Sequence, residues 1–195
     1  SSDVCSSDLL VSESRQDASR RGSQIERLAE LGLLNGKTLI YGCGELSASD
    51  LDIIRSSGAT IAAASGYDVR SGIPGMSVNE LYDRSVHLCI GTGSNGMDLF
   101  EAARNESFYS AVRGHKEATK ISAKALLKGN PSFAERLFNC RVGRLTAGAS
   151  ADVIVLDTDL PCNDDADVII EHLTRHASGR ACIHTISRGR GLMKD

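Results

Sequence analysis

Three short apolar runs, each followed by a helical pattern, constrain this chain more than any other feature. They are Thr38–Tyr41, Ala59–Ala64 and Val86–Ile90. Each run is continuous rather than alternating, as in a strand covered on both faces. Ser47 and Asp50 form a capping-box pattern that opens a helix through Ile54, ending near Gly58. Ser77 and Glu80 form another, with a helix to about Arg84, and Asp98 to Val112 reads as a third helix. Ser65 to Gly75 reads as a glycine-rich loop. Strands and helices alternating in this way predict an α/β fold with parallel strands.

The flanks differ. Upstream, Ile25, Leu28 and Leu31 share one face of a predicted helix from Ser23 to Leu34, with Ser23 as its cap. Downstream of Gly114, Lys116–Lys128 and Pro131–Phe138 read as two helices, with Pro131 in a first turn. A strand at Asp152–Leu156, a helix at Asp165–His176, and a hairpin of Ala181–Ile186 and Leu192–Met193 around Arg188–Gly189 suggest a separate, small β-rich lobe. The expected divisions are residues 1–9, 10–140 and 141–195. Ser1 to Leu9, SSDVCSSDL, has neither the apolar core of a signal peptide nor an amphipathic pattern. It resembles a translated sequencing-adapter peptide. It is expected to be non-native and to carry no folding information, with the natural protein continuing upstream.

Composition excludes several roles. Net charge is −3 and the basic residues are scattered apart from Arg188 and Arg190, so nucleic acid has no electrostatic footprint. No apolar stretch approaches the roughly 18 residues of a membrane span. Six cysteines, at 5, 43, 89, 140, 162 and 182, are isolated from one another, with no CxxC pair. They are expected to be buried free thiols in a reducing, cytoplasmic setting.

The sharpest local motif is Gly91 to Gly96, a literal G-x-G-x-x-G between a strand and a helix. Such glycines let a backbone approach a pyrophosphate at a helix start. They also serve as a tight strand-to-helix turn. The dinucleotide reading wants a following strand ending in Asp or Glu about 20 residues on, and here helical patterns run from Asp98 to Leu127 instead. His172 and His176 share a helix face. A metal there would need a third ligand and a base, so a polar helix face is the expectation. His87, inside an apolar run, is expected to be a core histidine. Cys43 lacks an adjacent His or Asn that would mark a nucleophile.

Several segments together resemble the aminohydrolase and chlorohydrolase branch of the amidohydrolase superfamily, the SsnA-type and guanine-deaminase-like proteins. Lys37–Ser47 resembles that family's sixth barrel strand and turn, KTLxAHGxxLS. Ile90–Glu101 resembles the end of the eighth strand, LGTDGxxxDMFE. Val142–Asp157 resembles its late GxLxxGxxADxxxxD stretch, and the tail through Asp195 its closing hairpin. The resemblance implies a partial (β/α)8 barrel, about strands six to eight with their helices, plus the C-terminal part of a small composite β-sandwich. It implies metal-dependent hydrolysis of a non-peptide C–N or C–halogen bond on a small ring compound. The family cofactor would be a divalent metal, Zn or Fe, that activates water.

The family's metal ligands include a His on the sixth strand and an Asp on the eighth. The matching positions here are Gly42 and Gly93, which offer no side chain; the other ligands would lie upstream. The resemblance therefore implies no intact catalytic or metal residue in this chain. Tyr41, Glu45 and Asp98 remain as candidates for a residual pocket, with Asp98 also suited to cap its helix. The expected function is an inactive C-terminal piece of an amidohydrolase-like protein. The alternatives are a non-catalytic binding protein or, less favoured, a nucleotide-binding module at Gly91–Gly96. Strand edges at Thr38–Tyr41 and Val86–Ile90 are expected to be unpaired and to promote self-association.

Overall fold

The computed structural model describes residues 7–10, 23–44, 46–73, 75–93, 96, 98–159 and 165–194. Four parallel strands form one open sheet in chain order: β1 (Ser7–Leu10), β2 (Thr38–Tyr41), β3 (Thr60–Ala63) and β4 (His87–Ile90). The predicted repeat is present. Between the strands lie α1 (Gln24–Glu30), α2 (Ala48–Ser57), α3 (Ser65–Arg70) and α4 (Val78–Asp83), and α5 (Leu99–Val112) follows β4. Both predicted capping boxes form, Ser47 with Asp50 and Ser77 with Glu80, and Gly58 closes α2 in the left-handed region at φ +75°. Ile40, Ile54, Ile61, Val78, Leu81 and Ile90 form the core between this sheet and its helices.

Four expectations need correction. Part of the segment expected to carry no folding information, Ser7 to Leu9, lies in β1 and pairs with β2. The β2 edge is therefore not open: β2 is flanked by β1 and β3. Second, residues 65–70 are helical rather than loop. Glu106 of α5 accepts from both the Ser65 N–H and the Ser65 hydroxyl, and so caps α3 from another helix. Local sequence cannot show a cap that arrives from 41 residues away.

Third, the helix that carries Pro131 in its first turn is not separate from the one before it. One helical run joins α6 (Ala118–Lys124), a π turn (Ala125–Gly129) and α7 (Asn130–Phe138). The π turn is bolted to the outer edge of β4. A side chain on Gly129 would collide with the Leu88 carbonyl oxygen, so only glycine permits this approach. Beside it, the Asn130 amide accepts from Ile90 N–H at 2.8 Å and donates to Ile90 O at 3.0 Å. It thus replaces a neighbouring strand at the edge that the sequence reading left unpaired. Fourth, His87 is exposed at the start of β4 rather than in the core.

The tail forms a second sheet, antiparallel, of β5 (Val153–Leu156), β6 (Cys182–Ser187) and β7 (Arg190–Lys194), with α8 (Ala166–His176) between β5 and β6. The β6–β7 turn has Arg188 at φ +49° and Gly189 at φ +75°, the pair of left-handed residues that a two-residue hairpin favours. Asp152 accepts there from the Ser187 hydroxyl at 2.7 Å and from Arg188 N–H at 3.0 Å. No helix among the described residues is long and apolar enough to cross a membrane.

Candidate functional site

Parallel strands bring their C-terminal ends to one side of the sheet, so the candidate positions at the ends of β2 and β4 share that side. Gly42 follows Tyr41 at φ +74°, and Gly93 lies just past Ile90 at φ +65°. Both occupy the left-handed region, which side-chain-bearing residues adopt uncommonly, although Asp and His are among those that do. Gly93 is also crowded: a Cβ built on it would stand 2.7 Å from Tyr67 Cγ. Tyr67, on α3, thus fills the place where a ligand side chain at position 93 would begin. The remaining space, lined by Gly66, Tyr67, Gly91, Thr92 and Asp98, is about 10 Å³, enough for one water and no nucleotide.

Asp98 does two structural jobs. One carboxylate oxygen accepts from Phe100 N–H at 2.9 Å and Glu101 N–H at 3.3 Å, capping α5. The other accepts from Gly179 N–H at 2.7 Å and ties the tail to the parallel layer. Arg104 adds to this tie by donating to the Thr174 and Ala177 carbonyls. Tyr41 is 40% exposed at the end of β2. Glu45, Ser94, Asn95, Cys5 and Cys162, also singled out from the sequence, lie outside the described residues.

Sequence reasoning missed the acidic groups behind this rim. Glu106 is fully buried, and burial pushes its carboxyl up to about 7, with Asp68 adding to the rise and the Ser65 hydrogen bonds opposing it. Burial likewise lifts Asp68 to about 6. The Cys43 thiol, inside the same region, is pushed up to about 12 by burial and by the charges of Asp68 and Asp50. It is a protonated thiol at neutral pH and a poor nucleophile. The one sequence signal for Glu106 was its spacing. Ala103, Glu106 and Ser110 form one stripe of α5, and that stripe, made of small and polar residues, is the buried face.

A divalent metal does not fit these residues. Among the described residues no three His, Cys, Asp or Glu side chains converge on a point that could hold one. His172 and His176 do meet, with ring centroids 4.5 Å apart, but they lie on α8 in the tail. Of the other thiols, Cys89 is buried, Cys182 half-buried and Cys140 exposed, so the expectation of buried cysteines fails at Cys140.

No family model matches the chain. Among curated proteins it is similar to the 5-methylthioadenosine/S-adenosylhomocysteine deaminase of Haloarcula marismortui, 28% identical over 171 residues, spanning 85% of this chain and 39% of that protein. It is 27% identical over 198 residues to the 5'-deoxyadenosine deaminase of Methanothrix thermoacetophila, spanning 96% and 47%. The chain thus spans less than half the length of these relatives. Among solved structures, a zinc-bound adenosine deaminase from Xanthomonas campestris superposes with a TM-score of 0.79 at 20% identity, covering 96% of this chain and 45% of that one. Escherichia coli guanine deaminase gives 0.80 at 14% identity, covering 96% and 47%.

Proposed function

We propose, on the premise that the chain belongs to the amidohydrolase superfamily and matches the C-terminal part of its deaminase members, that it supplies scaffold but no catalytic chemistry. In this reading β2, β3 and β4 are barrel strands six to eight, residues 10–140 the barrel part, and residues 141–195 the C-terminal share of a composite β-sandwich. The parent reaction is hydrolysis of a non-peptide C–N bond on a small ring compound by a cytoplasmic, metal-dependent enzyme. The names of the relatives, which describe deamination of adenosine derivatives, support that reaction class.

One observation carries the inactivity. At Gly93, the packed Tyr67 ring leaves no room for a metal-ligating side chain. Gly42, at the end of β2, likewise offers no ligating side chain. Loss of a ligand alone could be reversed by one substitution; here the space has also been taken.

The test is direct. The purified chain is analysed for zinc and iron by plasma mass spectrometry and assayed for ammonia release from 5'-deoxyadenosine and guanine. Substoichiometric metal and no ammonia are expected. One equivalent of metal together with turnover would overturn the reading.

A further inference from the structure

We propose that the cleft between α4, the start of β4 and the π turn binds the phosphate group of a small phosphomonoester. The cleft has a volume of about 400 Å³ and is lined by Tyr82, His87, Lys124, Lys128 and Ser132, with apolar walls from β4 and the π turn. It opens at the N-terminal end of β4, the opposite end of the strand from Gly93. The inference is therefore independent of the hydrolase reading.

The charge is one-sided. No carboxylate lines the cleft. Neither Lys124 nor Lys128 joins an ion pair with any described carboxylate, although Lys120, one turn before Lys124, pairs with Asp167. In a chain of net charge −3, two neighbouring cations without a described carboxylate partner favour an anion. Lys124 is held over the face of Tyr82, 5.8 Å from the ring centroid, which fixes its ammonium at the cleft.

Two further donors line the cleft. Ser132 Oγ already accepts from Arg136 at 3.1 Å, so its own hydroxyl hydrogen is free to donate. Partial desolvation and the Arg136 charge pull the largely exposed His87 imidazole below its ordinary range, so it presents one N–H at neutral pH without needing to be protonated. The wall that carries Lys128 is a π turn, a distortion frequently found at functional sites. That wall is rigid, because Gly129 and Asn130 lock it to Leu88 and Ile90. Lysines bind phosphate as point charges, and a serine hydroxyl completes such a set. The volume lies within the roughly 300–1,000 Å³ of small-molecule sites and exceeds what phosphate alone would fill. The apolar walls provide for an organic group.

Isothermal titration of the untagged full chain with inorganic phosphate, adenosine 5'-monophosphate and adenosine tests this. The monophosphate is expected to bind once per chain, more tightly than inorganic phosphate, and adenosine not at all. Lys124→Gln with Lys128→Gln should weaken the monophosphate by at least about tenfold, as two charge-assisted contacts are lost, while the unfolding midpoint stays unchanged. Ser132→Ala should weaken it less. Equal binding of adenosine and its monophosphate, unchanged affinity in the double variant, or no saturable binding in the millimolar range would each overturn the proposal. Inorganic phosphate binding as tightly as the monophosphate would overturn the ester assignment. Metal content and ammonia release are separate readouts, so the two proposals fail separately.

Discussion

In the parallel layer Ile40, Ile54 and Ile61 are at most 1% exposed; in the tail, no residue of β5 or β6 is fully buried, and Ile154 stands 49% exposed. The two regions are held by different forces. Apolar burial between sheet and helices stabilises the first. The second has hairpin geometry and backbone pairing; it is joined to the first by the packing of α8 on α5 and α6, with Thr174 and Ala177 buried, and by polar ties: Asp98 to Gly179, Arg104 to the end of α8, and Lys120 to Asp167 at 3.5 Å. One region makes its own core, while the other leans on its neighbour.

The contrast can be broken by paired truncations. Ile61→Ala should cost about 2–5 kcal/mol, as for a fully buried aliphatic side chain, whereas Ile154→Ala should stay within about 0.5 kcal/mol. Urea denaturation followed by circular dichroism measures both. Equal losses would abolish the distinction.

A pH series comes next. Glu106 and Asp68 titrate higher when folded than when unfolded, so the folded state holds protons that the unfolded chain releases. Their contribution to stability is fully present below their ordinary carboxylate range, near pH 4. It is lost as pH rises through about 6 for Asp68 and about 7 for Glu106. The unfolding free energy should therefore fall between those limits. Glu106→Gln should flatten the upper part of that fall and leave the Asp68 part. A wild-type profile that rises across this window would contradict the burial of Glu106.

Smaller effects sharpen the picture. Gly93→Ala should cost about 1–3 kcal/mol from its left-handed backbone, and more where its methyl meets Tyr67. Adding Tyr67→Ala should return the collision share alone, which a double-mutant cycle isolates. Asp98→Ala should cost about 1 kcal/mol as a lost cap. Its more telling effect should be faster tryptic cutting at Arg175 and Arg180, as the tail loses its tie. Unchanged proteolysis would show that the tie is dispensable.

The parallel units were legible because their signals are local: continuous apolar runs, two capping boxes, and Gly58 at a helix end. The hairpin at Arg188–Gly189 was legible for the same reason. What escaped depends on residues distant in sequence. The short helix α3 needs Glu106, the edge of β4 needs Asn130, and the closing of the Gly93 site needs Tyr67. Glu106 was hidden further by its identity, since a charged residue on a helix is ordinarily read as solvated. Gly42 and Gly93 could be named from sequence as positions without ligands. Their left-handed backbones, and the ring packed against Gly93, required coordinates.

The amide of Asn130 on Ile90 has a consequence in time as well as in space. Its two hydrogen bonds join residues 40 apart. On a chain made from its N-terminus at about 5–20 residues per second, β4 emerges roughly 2–8 s before its cover exists. During that interval the outer edge of the strand can recruit any extended segment nearby. The bracket that finishes the sheet is thus also a deadline, and crowding during synthesis is when this protein is most exposed to mispairing.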